Sequence, residues 1–445
     1  MNKKTILIIF YFLLMIPIKS MSQSVMNQKN NPDPVTAAEQ EQVIDSISLL
    51  LNKKYVFPEV AKKMSELILS NFKSGLYSSI TDPVLFSERL TTDLLSISKD
   101  KHIHVKFNPT LIKELKETNK NPGQDELPAS VLEQWKANNY GFKEVKILEG
   151  NIGYLDLRNF SDPSLGGETA VAAMNFLSNT NALIIDLRKN GGGSSEMIQL
   201  IISYLYNSEP VHLNNFYYRP TDSNTQTWTL PYISGKRMPN VDVYVLTSKR
   251  TFSAAEEFSY DLKNLHRATI IGENTGGGAN PGGEEIATDR FTIFVPFGRA
   301  INPITKTNWE GTGVQPDIEV PADDALLTAQ IKALEKLTAK EYQNSNKKYT
   351  WLLTSIKAKQ HPLVLKPKES ENYIGKFGSR IITYENGNLY YQVDSIRKSK
   401  MLPLEKDIFD LEDNMIRVEF KKVNNKISGI TVVNANGTTK SYEKN

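Results

Sequence analysis

The segment 247–258, Thr-Ser-Lys-Arg-Thr-Phe-Ser-Ala-Ala-Glu-Glu-Phe, places a serine where an apolar, strand-like run gives way to a helical pattern. The apolar run is Val243 to Leu246, and small residues follow Ser253 directly. A serine at a strand-to-helix turn exposes its hydroxyl, and the next backbone N–H groups are free to face an oxyanion. Ser253 is therefore a candidate nucleophile. The same residues also fit a capping box, in which Ser253 caps the helix and Glu256 returns the hydrogen bond.

Five histidines supply the imidazoles that a nucleophilic serine can use as a general base: His102, His104, His212, His266 and His361. Residues 100–107 alternate polar and apolar side chains, which predicts a strand with His102 and His104 together on its polar face. The pattern does not choose between these two histidines. Each also fits an ordinary solvent-facing strand position. The pair also fits a metal site, although no further His or Cys cluster supports a metal.

Two glycine runs follow strand-like segments. Asn190–Gly193 comes after the apolar run 182–187, and Thr275–Ala279 comes after 268–272. Consecutive glycines let backbone N–H groups converge on an anion or a bent substrate, which a plain turn does not need. The first run does not end in Gly-Lys-Ser/Thr, so it is not a phosphate-binding P-loop, and the second run is open to the same two interpretations, a functional loop or a plain turn. Glu310 lies in a loop flanked by Trp and Gly, a context that also suits an ordinary surface acid.

The elements that must position these residues change in kind along the chain. Helical periodicity predicts three amphipathic helices before residue 100. Apolar runs then alternate with helical patterns, which predicts an α/β fold with a parallel, largely buried sheet. Short strands separated by Asn-Gly or Lys-Asn turns predict an all-β region from about residue 370. We therefore divide the chain into a signal peptide (1–22), a leader with a helical N-terminal domain (23–100), an α/β core (101–335), a helical linker (336–369) and a β-rich C-terminal domain (370–445).

The N-terminus and the composition narrow the class of protein. Residues 1–22 combine a basic start, an apolar run and small residues at the end, which predicts a removable export signal. The apolar run is shorter than the roughly 20 residues of a membrane-spanning helix, so we expect no permanent membrane anchor. The chain has no cysteine, and its 53 basic and 50 acidic side chains give a net charge of +3. This balance argues against a nucleic-acid-binding protein, which needs a marked basic excess.

Taken together, five motifs in one order resemble the S41 peptidases, the tail-specific or C-terminal processing protease family. The motifs are Asp-x-His at 100–102, Asp-Leu-Arg-x-Asn-Gly-Gly-Gly at 186–193, Thr-Phe-Ser-Ala-Ala-Glu-Glu-Phe at 251–258, Gly-Glu-Asn-Thr-Gly-Gly-Gly at 272–278 and Trp-Glu-Gly-x-Gly-Val-x-Pro-Asp at 309–317. The pattern is most similar to the branch of interphotoreceptor retinoid-binding protein and the tricorn core. This resemblance implies a crotonase/ClpP-like α/β spiral core, with a helical N-terminal unit and a small all-β C-terminal domain beside it.

The resemblance also implies a role for each matching residue. Ser253 matches the family nucleophile, His102 the general base and Glu310 the acid that orients the histidine. Gly191 and the backbone N–H of Ala254 match the oxyanion hole. Bacterial processing proteases of this family use a Ser/Lys pair, but the matching segment 272–278 contains no lysine. A Ser/His/Glu triad is therefore the expected mechanism, with no cofactor and no metal.

The sequence predicts an exported serine endopeptidase, periplasmic or secreted in a bacterium, that acts on peptides or unfolded proteins through an acyl-enzyme. The oligomeric state is not predicted. One alternative is a non-catalytic protein on the same fold that binds an apolar ligand or a peptide. A second is a crotonase-type enzyme that acts on acyl thioesters. Export disfavours the second alternative, because coenzyme A is mainly cytosolic.

Overall fold

The computed structural model describes residues 32–118, 127–341, 348–360, 362–393, 397–412 and 415–445. The predicted signal peptide lies outside these residues. The described chain forms two compact units, one of residues up to 147 together with 153–325, the other of 148–152 together with 326–445. Within the described chain, the helices are too short or too polar to span a membrane.

The larger unit alternates helices and strands along most of its length. Its helices are α1 (Ala37–Lys54), α2 (Pro58–Lys73), α3 (Pro83–Ser98), α4 (Pro109–Thr118), α5 (Ala129–Ala137), α6 (Pro163–Leu177), α7 (Ser195–Ser203) and α8 (Ala254–Asn264). Its strands are β1 (His104–Phe107), β2 (Phe142–Leu148), β3 (Ile152–Leu157), β4 (Ala182–Asp186), β5 (His212–Tyr218), β6 (Ser223–Trp228), β7 (Asp242–Thr247), β8 (Ala268–Gly272), β9 (Gly282–Ile286), β10 (Phe291–Pro296), β11 (Gly298–Ile301) and β12 (Ile318–Glu319).

The first three helices lie where the apolar periodicity predicts them, and local chemistry sets where they start. The Thr36 hydroxyl caps α1, and the Asp82 carboxylate accepts two backbone N–H groups at the start of α3. The apolar faces of α1–α3 share one hydrophobic core with a small antiparallel sheet of order β1-β10-β9. This packing fixes the position of the turn before β1, which carries His102.

A six-stranded sheet of order β12-β8-β7-β4-β3-β2 forms the centre of the unit. Strands β4, β7, β8 and β12 pair in parallel, as the buried apolar runs predict. Helices α6, α7 and α8 follow β3, β4 and β7 and pack on this sheet around a second hydrophobic core. The fold is thus the α/β class that the sequence predicts.

The parallel strands bring three loops to one edge of the sheet. Because β4, β7 and β8 run in the same direction, the segments after their carboxyl ends lie side by side. These segments are the first glycine run at 190–193, the turn with Ser253, and the second glycine run at 275–279. Parallel pairing therefore brings together three segments that lie up to about 90 residues apart in sequence.

A third sheet, of order β11-β5-β6, completes the larger unit. Its strands pair antiparallel, with Ala300 opposite Phe216. Both residues belong to a small apolar cluster with Trp309, the residue before Glu310. This cluster supports the loop that carries Glu310.

The second unit contains the predicted all-β region. Its helices are α9 (Ala325–Glu341), α10 (Lys348–Gln360) and α11 (Pro367–Ser370), and its strands are β13 (Gly375–Phe377), β14 (Arg380–Glu385), β15 (Asn388–Val393), β16 (Arg397–Glu405), β17 (Ile408–Leu411), β18 (Ile416–Val423), β19 (Lys426–Asn434) and β20 (Thr439–Glu443). The eight strands form one antiparallel sheet in chain order, and a bridge between Phe377 and Lys444 joins its two ends. Its apolar face encloses a separate hydrophobic core.

Candidate active site

Ser253 directly precedes α8 and has an unusual backbone conformation. Its φ is 55° and its ψ is −123°, a region that residues with a side chain rarely occupy. An ordinary serine cap of the same protein, Ser194, has φ −90° and ψ 132°, and its hydroxyl accepts hydrogen bonds at the start of α7. The Ser253 side chain makes no cap hydrogen bond with a described residue. The strained geometry fits a nucleophile turn better than a helix cap.

Glu256 ties this turn to the second glycine run. Its carboxylate accepts the N–H of Ser253 at 2.9 Å, so the glutamate half of the predicted capping box is formed. The same carboxylate accepts the N–H groups of Gly277 at 2.6 Å and Gly278 at 2.8 Å, and the Thr275 hydroxyl. Burial raises the pKa of Glu256, and these hydrogen bonds oppose the rise. Glu256 therefore holds the Ser253 turn and the second glycine run together, whereas the sequence predicts only a capping role for it.

His102 lies in a turn, so the strand predicted for residues 100–107 is wrong in its first half. Helix α3 ends at Ser98, and the next residue, Lys99, has a left-handed φ of 58°. The Asp100 carboxylate then accepts the N–H of His102 at 3.1 Å, and this local bond holds a turn that delays the strand until His104. His102 is consequently buried, with 4% of its surface exposed, rather than on a solvent-facing strand.

The two candidate histidines have different surroundings. The His102 ring lies 4.6 Å from the Phe252 ring and 5.7 Å from the Phe294 ring, centre to centre. It lines the same cavity as Ser253. His104 is engaged on the small sheet, where its Nε2 is 2.9 Å from Glu284 and its Nδ1 is 2.8 Å from the His102 carbonyl oxygen. The geometry therefore favours His102 as the partner of Ser253.

Glu310 lies close to His102 and to a second acid. One side-chain ligand atom of each of Asp100, His102 and Glu310 lies within 4.8 Å of the others. The N–H of Ala279 donates to Glu310 at 2.6 Å and fixes the carboxylate. Burial, followed by the negative charge of Asp100, raises the pKa of Glu310 to about 7. Among the described residues, these three side chains lie closely enough to share a metal ion. The same arrangement allows the two carboxylates to orient the imidazole of His102.

Asp100 is a site residue whose role the sequence alone does not reveal. Only 2% of its surface is exposed, and its Oδ1 lies 3.5 Å from Nδ1 of His102. Its other oxygen accepts the amide of Asn280 at 2.9 Å and the hydroxyl of Tyr55 at 3.4 Å. Burial, and then the charge of Asp100, raises the pKa of the Tyr55 phenol. The sequence feature that points to Asp100 is its position two residues before His102, in the Asp-x-His motif.

The first glycine run folds back against the nucleophile turn. Gly193 bridges to Phe160 in parallel fashion: the N–H of Phe160 bonds to the Gly192 carbonyl at 2.9 Å, and the N–H of Ser194 bonds to the Phe160 carbonyl at 2.7 Å. The N–H of Gly192 donates a hydrogen bond to the Oδ1 of Asn190 at 2.8 Å. The N–H of Gly193 lies between these and points away from Phe160, because successive backbone groups alternate in direction.

Gly193 is also the glycine that the close packing requires. Its φ is 138°, and a Cβ there would lie 2.0 Å from the Phe160 carbonyl oxygen. It lines the cavity with Ser253, Ala254 and His102. Gly191, the predicted oxyanion residue, has open space where a side chain would be and is not among the residues that line this cavity. Gly193 thus lines the cavity together with Ala254, whereas Gly191 does not.

The cavity is small. Its volume is about 20 Å³, room for about one water molecule. The residues that line it are His102, Gly193, Ser195, Phe216, Ser253, Ala254, Glu257, Gly278, Ala279, Pro281, Gly282, Phe294 and Trp309. Polar groups able to act as nucleophile and base therefore meet in a small, mostly apolar space, and a substrate has to displace part of the lining.

Comparison with known proteins supplies the family context. A model of peptidase family S41 matches residues 151–320, and a model of the N-terminal domain of peptidase S41 in eukaryotic IRBP matches residues 35–140. A candidate S41 protease of Bacteroides fragilis is 22% identical over 50% of this chain, with a TM-score of 0.38, and the chain spans 58% of its length. A candidate peptidase of Parabacteroides merdae is 18% identical over 66% of this chain and 96% of its own, with a TM-score of 0.44. The tricorn protease is 15% identical over 65% of this chain and 35% of its own, with a TM-score of 0.41.

Proposed function

This chain belongs to peptidase family S41, and from that premise we propose that it is an exported serine peptidase that hydrolyses peptide bonds through an acyl-enzyme. The observation that carries the proposal is the left-handed backbone of Ser253 at a strand-to-helix turn. A helix cap does not need this strain, as Ser194 shows, whereas a nucleophile gains an exposed hydroxyl from it. His102 lines the same cavity, which supports its role as the general base.

In the proposed mechanism, His102 takes the hydroxyl proton of Ser253 as its oxygen attacks the carbonyl carbon of the peptide. His102 then gives this proton to the leaving amine, and an acyl-enzyme remains. A water molecule attacks the acyl carbon after losing a proton to His102, and return of that proton to Ser253 releases the acid. Glu310 is the proposed acid that orients the imidazole and stabilises its charged form. Asp100 lies within reach to assist it.

The oxyanion of the tetrahedral intermediate needs preorganised N–H donors. Ala254 supplies the first proposed donor, because it follows the nucleophile at the start of α8, where the helix dipole favours negative charge. The first glycine run supplies the second. Its Gly193 is favoured over the expected Gly191 because Gly193 lines the cavity.

The test compares residues 23–445 with Ser253→Ala in two assays, hydrolysis of unfolded casein and covalent labelling by a fluorophosphonate probe. We expect the wild type to be labelled and active, and Ser253→Ala to lose labelling and roughly 10⁴-fold or more of the rate. His102→Ala and Glu310→Gln should lower both signals. Glu168→Gln, an exposed acid on α6, is the matched control and should change neither.

Equal hydrolysis by the wild type and Ser253→Ala would contradict the assignment of the nucleophile. A wild type that is neither labelled nor active, yet copurifies with a stoichiometric apolar ligand, would favour the binding protein instead. Export is tested separately, by mass spectrometry of the N-terminus of the full chain recovered from a periplasmic or secreted fraction. A mature N-terminus close to residue 23 is the expected result.

A further inference from the structure

Glu257 is a buried acid that lines the candidate catalytic cavity but has no part in the proposed mechanism. It lies one helical turn after Ser253, and its N–H donates to the Ser253 carbonyl at 2.9 Å. Side chains on a helix lean toward its N-terminus. The Glu257 side chain therefore leans toward the turn that carries Ser253, and both residues line the same cavity.

In the described part of the chain, no positive side chain pairs with this carboxyl group. Glu257 is 4% exposed, and Ser195 donates a hydrogen bond to it at 2.8 Å. Asp261, the next acid along the same face, is fully buried, and one of its carboxylate oxygens has no hydrogen-bond partner. Glu196 adds further negative charge nearby. Across the described parts of the chain, neither Glu257 nor Asp261 forms an ion pair with Lys, Arg or His.

A second observation concerns the rest of the lining. Phe216, Phe294, Trp309 and Pro281 surround the cavity with apolar surface. Such walls pack well against the methylene stem of a long basic side chain whose charged head reaches a buried acid. Burial raises the pKa of Glu257 to about 7, against the hydrogen bond from Ser195. An incoming cation would favour the ionised form and offset part of the cost of burying this acid.

We propose that Glu257 is the specificity-determining residue of this cavity and selects substrates that bring a cationic group beside the scissile bond. The inference rests on the proposed peptidase function and names its substrate class. The cation has two possible sources with the same chemistry. It is either the Lys or Arg side chain on the carbonyl side of the cleaved bond, or the free ammonium at the N-terminus of a substrate.

The experiment measures kcat/KM for fluorogenic peptides with Lys, Arg, Gln, Ala or Glu before the cleaved bond. Each peptide is made with a free and with an acetylated N-terminus. We expect the wild type to prefer Lys or Arg over Gln by at least ~10-fold, the scale of a hydrogen bond to a charged group. If the cation is the N-terminal ammonium, acetylation should cause a loss of that size whichever residue precedes the bond. Glu257→Gln should abolish the preference, and Glu257→Asp should keep part of it. Glu168→Gln is the control for loss of an acid elsewhere.

Benzamidine gives an independent readout, because it is a small cation with an apolar ring. It should inhibit the wild type competitively and inhibit Glu257→Gln at least ~10-fold more weakly. A wild type that cleaves peptides in a Ser253-dependent way but prefers small or acidic residues overturns this inference and leaves the proposed function standing. A cationic preference that persists in Glu257→Gln also overturns it. Hydrolysis that survives Ser253→Ala, or no hydrolysis of any peptide, overturns the proposed function and this inference with it.

Discussion

The electrostatics of Glu257 predict a pH-dependent effect of Glu257→Gln on stability. The pKa of the Glu257 carboxyl rises from 4.5 to about 7, chiefly because burial disfavours the charged form. At about 1.4 kcal/mol for each tenfold change, this difference is worth on the order of 3 kcal/mol of unfolding free energy. The pKa of Asp261, one turn away, is also raised by burial and by the charge of Glu257, so removing one charge also relieves the other.

The sign follows from which state holds the proton. Between about pH 4.5 and pH 7 the folded protein keeps a proton on Glu257 that the unfolded chain has already released. The wild type therefore loses stability as the pH rises through this window, and the loss is complete above it. Glutamine has nearly the same shape and never ionises. Glu257→Gln should consequently gain on the wild type as the pH rises.

Scanning calorimetry of both proteins and of Glu168→Gln measures the effect. Near pH 4.5 to 5 the unfolding free energies of the two proteins should agree to within roughly 1 kcal/mol, since both side chains are neutral in the folded state. Near pH 8.5 the Glu257→Gln protein should be more stable by up to about 3 kcal/mol, or about 6 °C at roughly 2 °C for each kcal/mol. A difference that does not change with pH, or that favours the wild type more at high pH, refutes the reasoning.

Two further substitutions test the surroundings of His102. In Gly278→Ala the new Cβ would lie 2.7 Å from Cε1 of His102 and 2.2 Å from Cζ of Phe252, so both rings must shift. We expect a loss of ~10²-fold in kcat/KM with a folded protein by circular dichroism, because small misplacements of catalytic groups are costly. Gly167→Ala, whose Cβ meets only an ordinary contact at 3.5 Å, should be silent, and equal activity of both variants would contradict this account. Asp100→Asn removes a charge that raises the pKa of Glu310, so the acid limb of the kcat/KM profile should move to lower pH. An unchanged acid limb would show that Asp100 does not act on this carboxyl.

Much of the fold was predictable because it depends on short-range patterns. The strands at 152–157 and 268–272 coincide with the predicted apolar runs, since a buried strand must be apolar along its length. Some helices begin at residues with capping chemistry, such as Asp82 before α3. The strand predicted for residues 100–107 failed in its first half because the Asp100 carboxylate forms a local hydrogen bond that competes with extended backbone.

The sequence by itself determined the α/β class, the all-β end of the chain, the family, and the short list of residues with suitable chemistry. Only the tertiary structure decided how these residues meet. It buries His102 beside the Ser253 turn, leaves His104 on the small sheet, and puts Gly193 rather than Gly191 at the cavity. It also places Glu257 in the cavity lining, where no described Lys, Arg or His pairs with it. The reason is physical: periodicity and caps act over a few residues, whereas burial, charge and strain depend on segments that parallel strands bring together from distant parts of the chain.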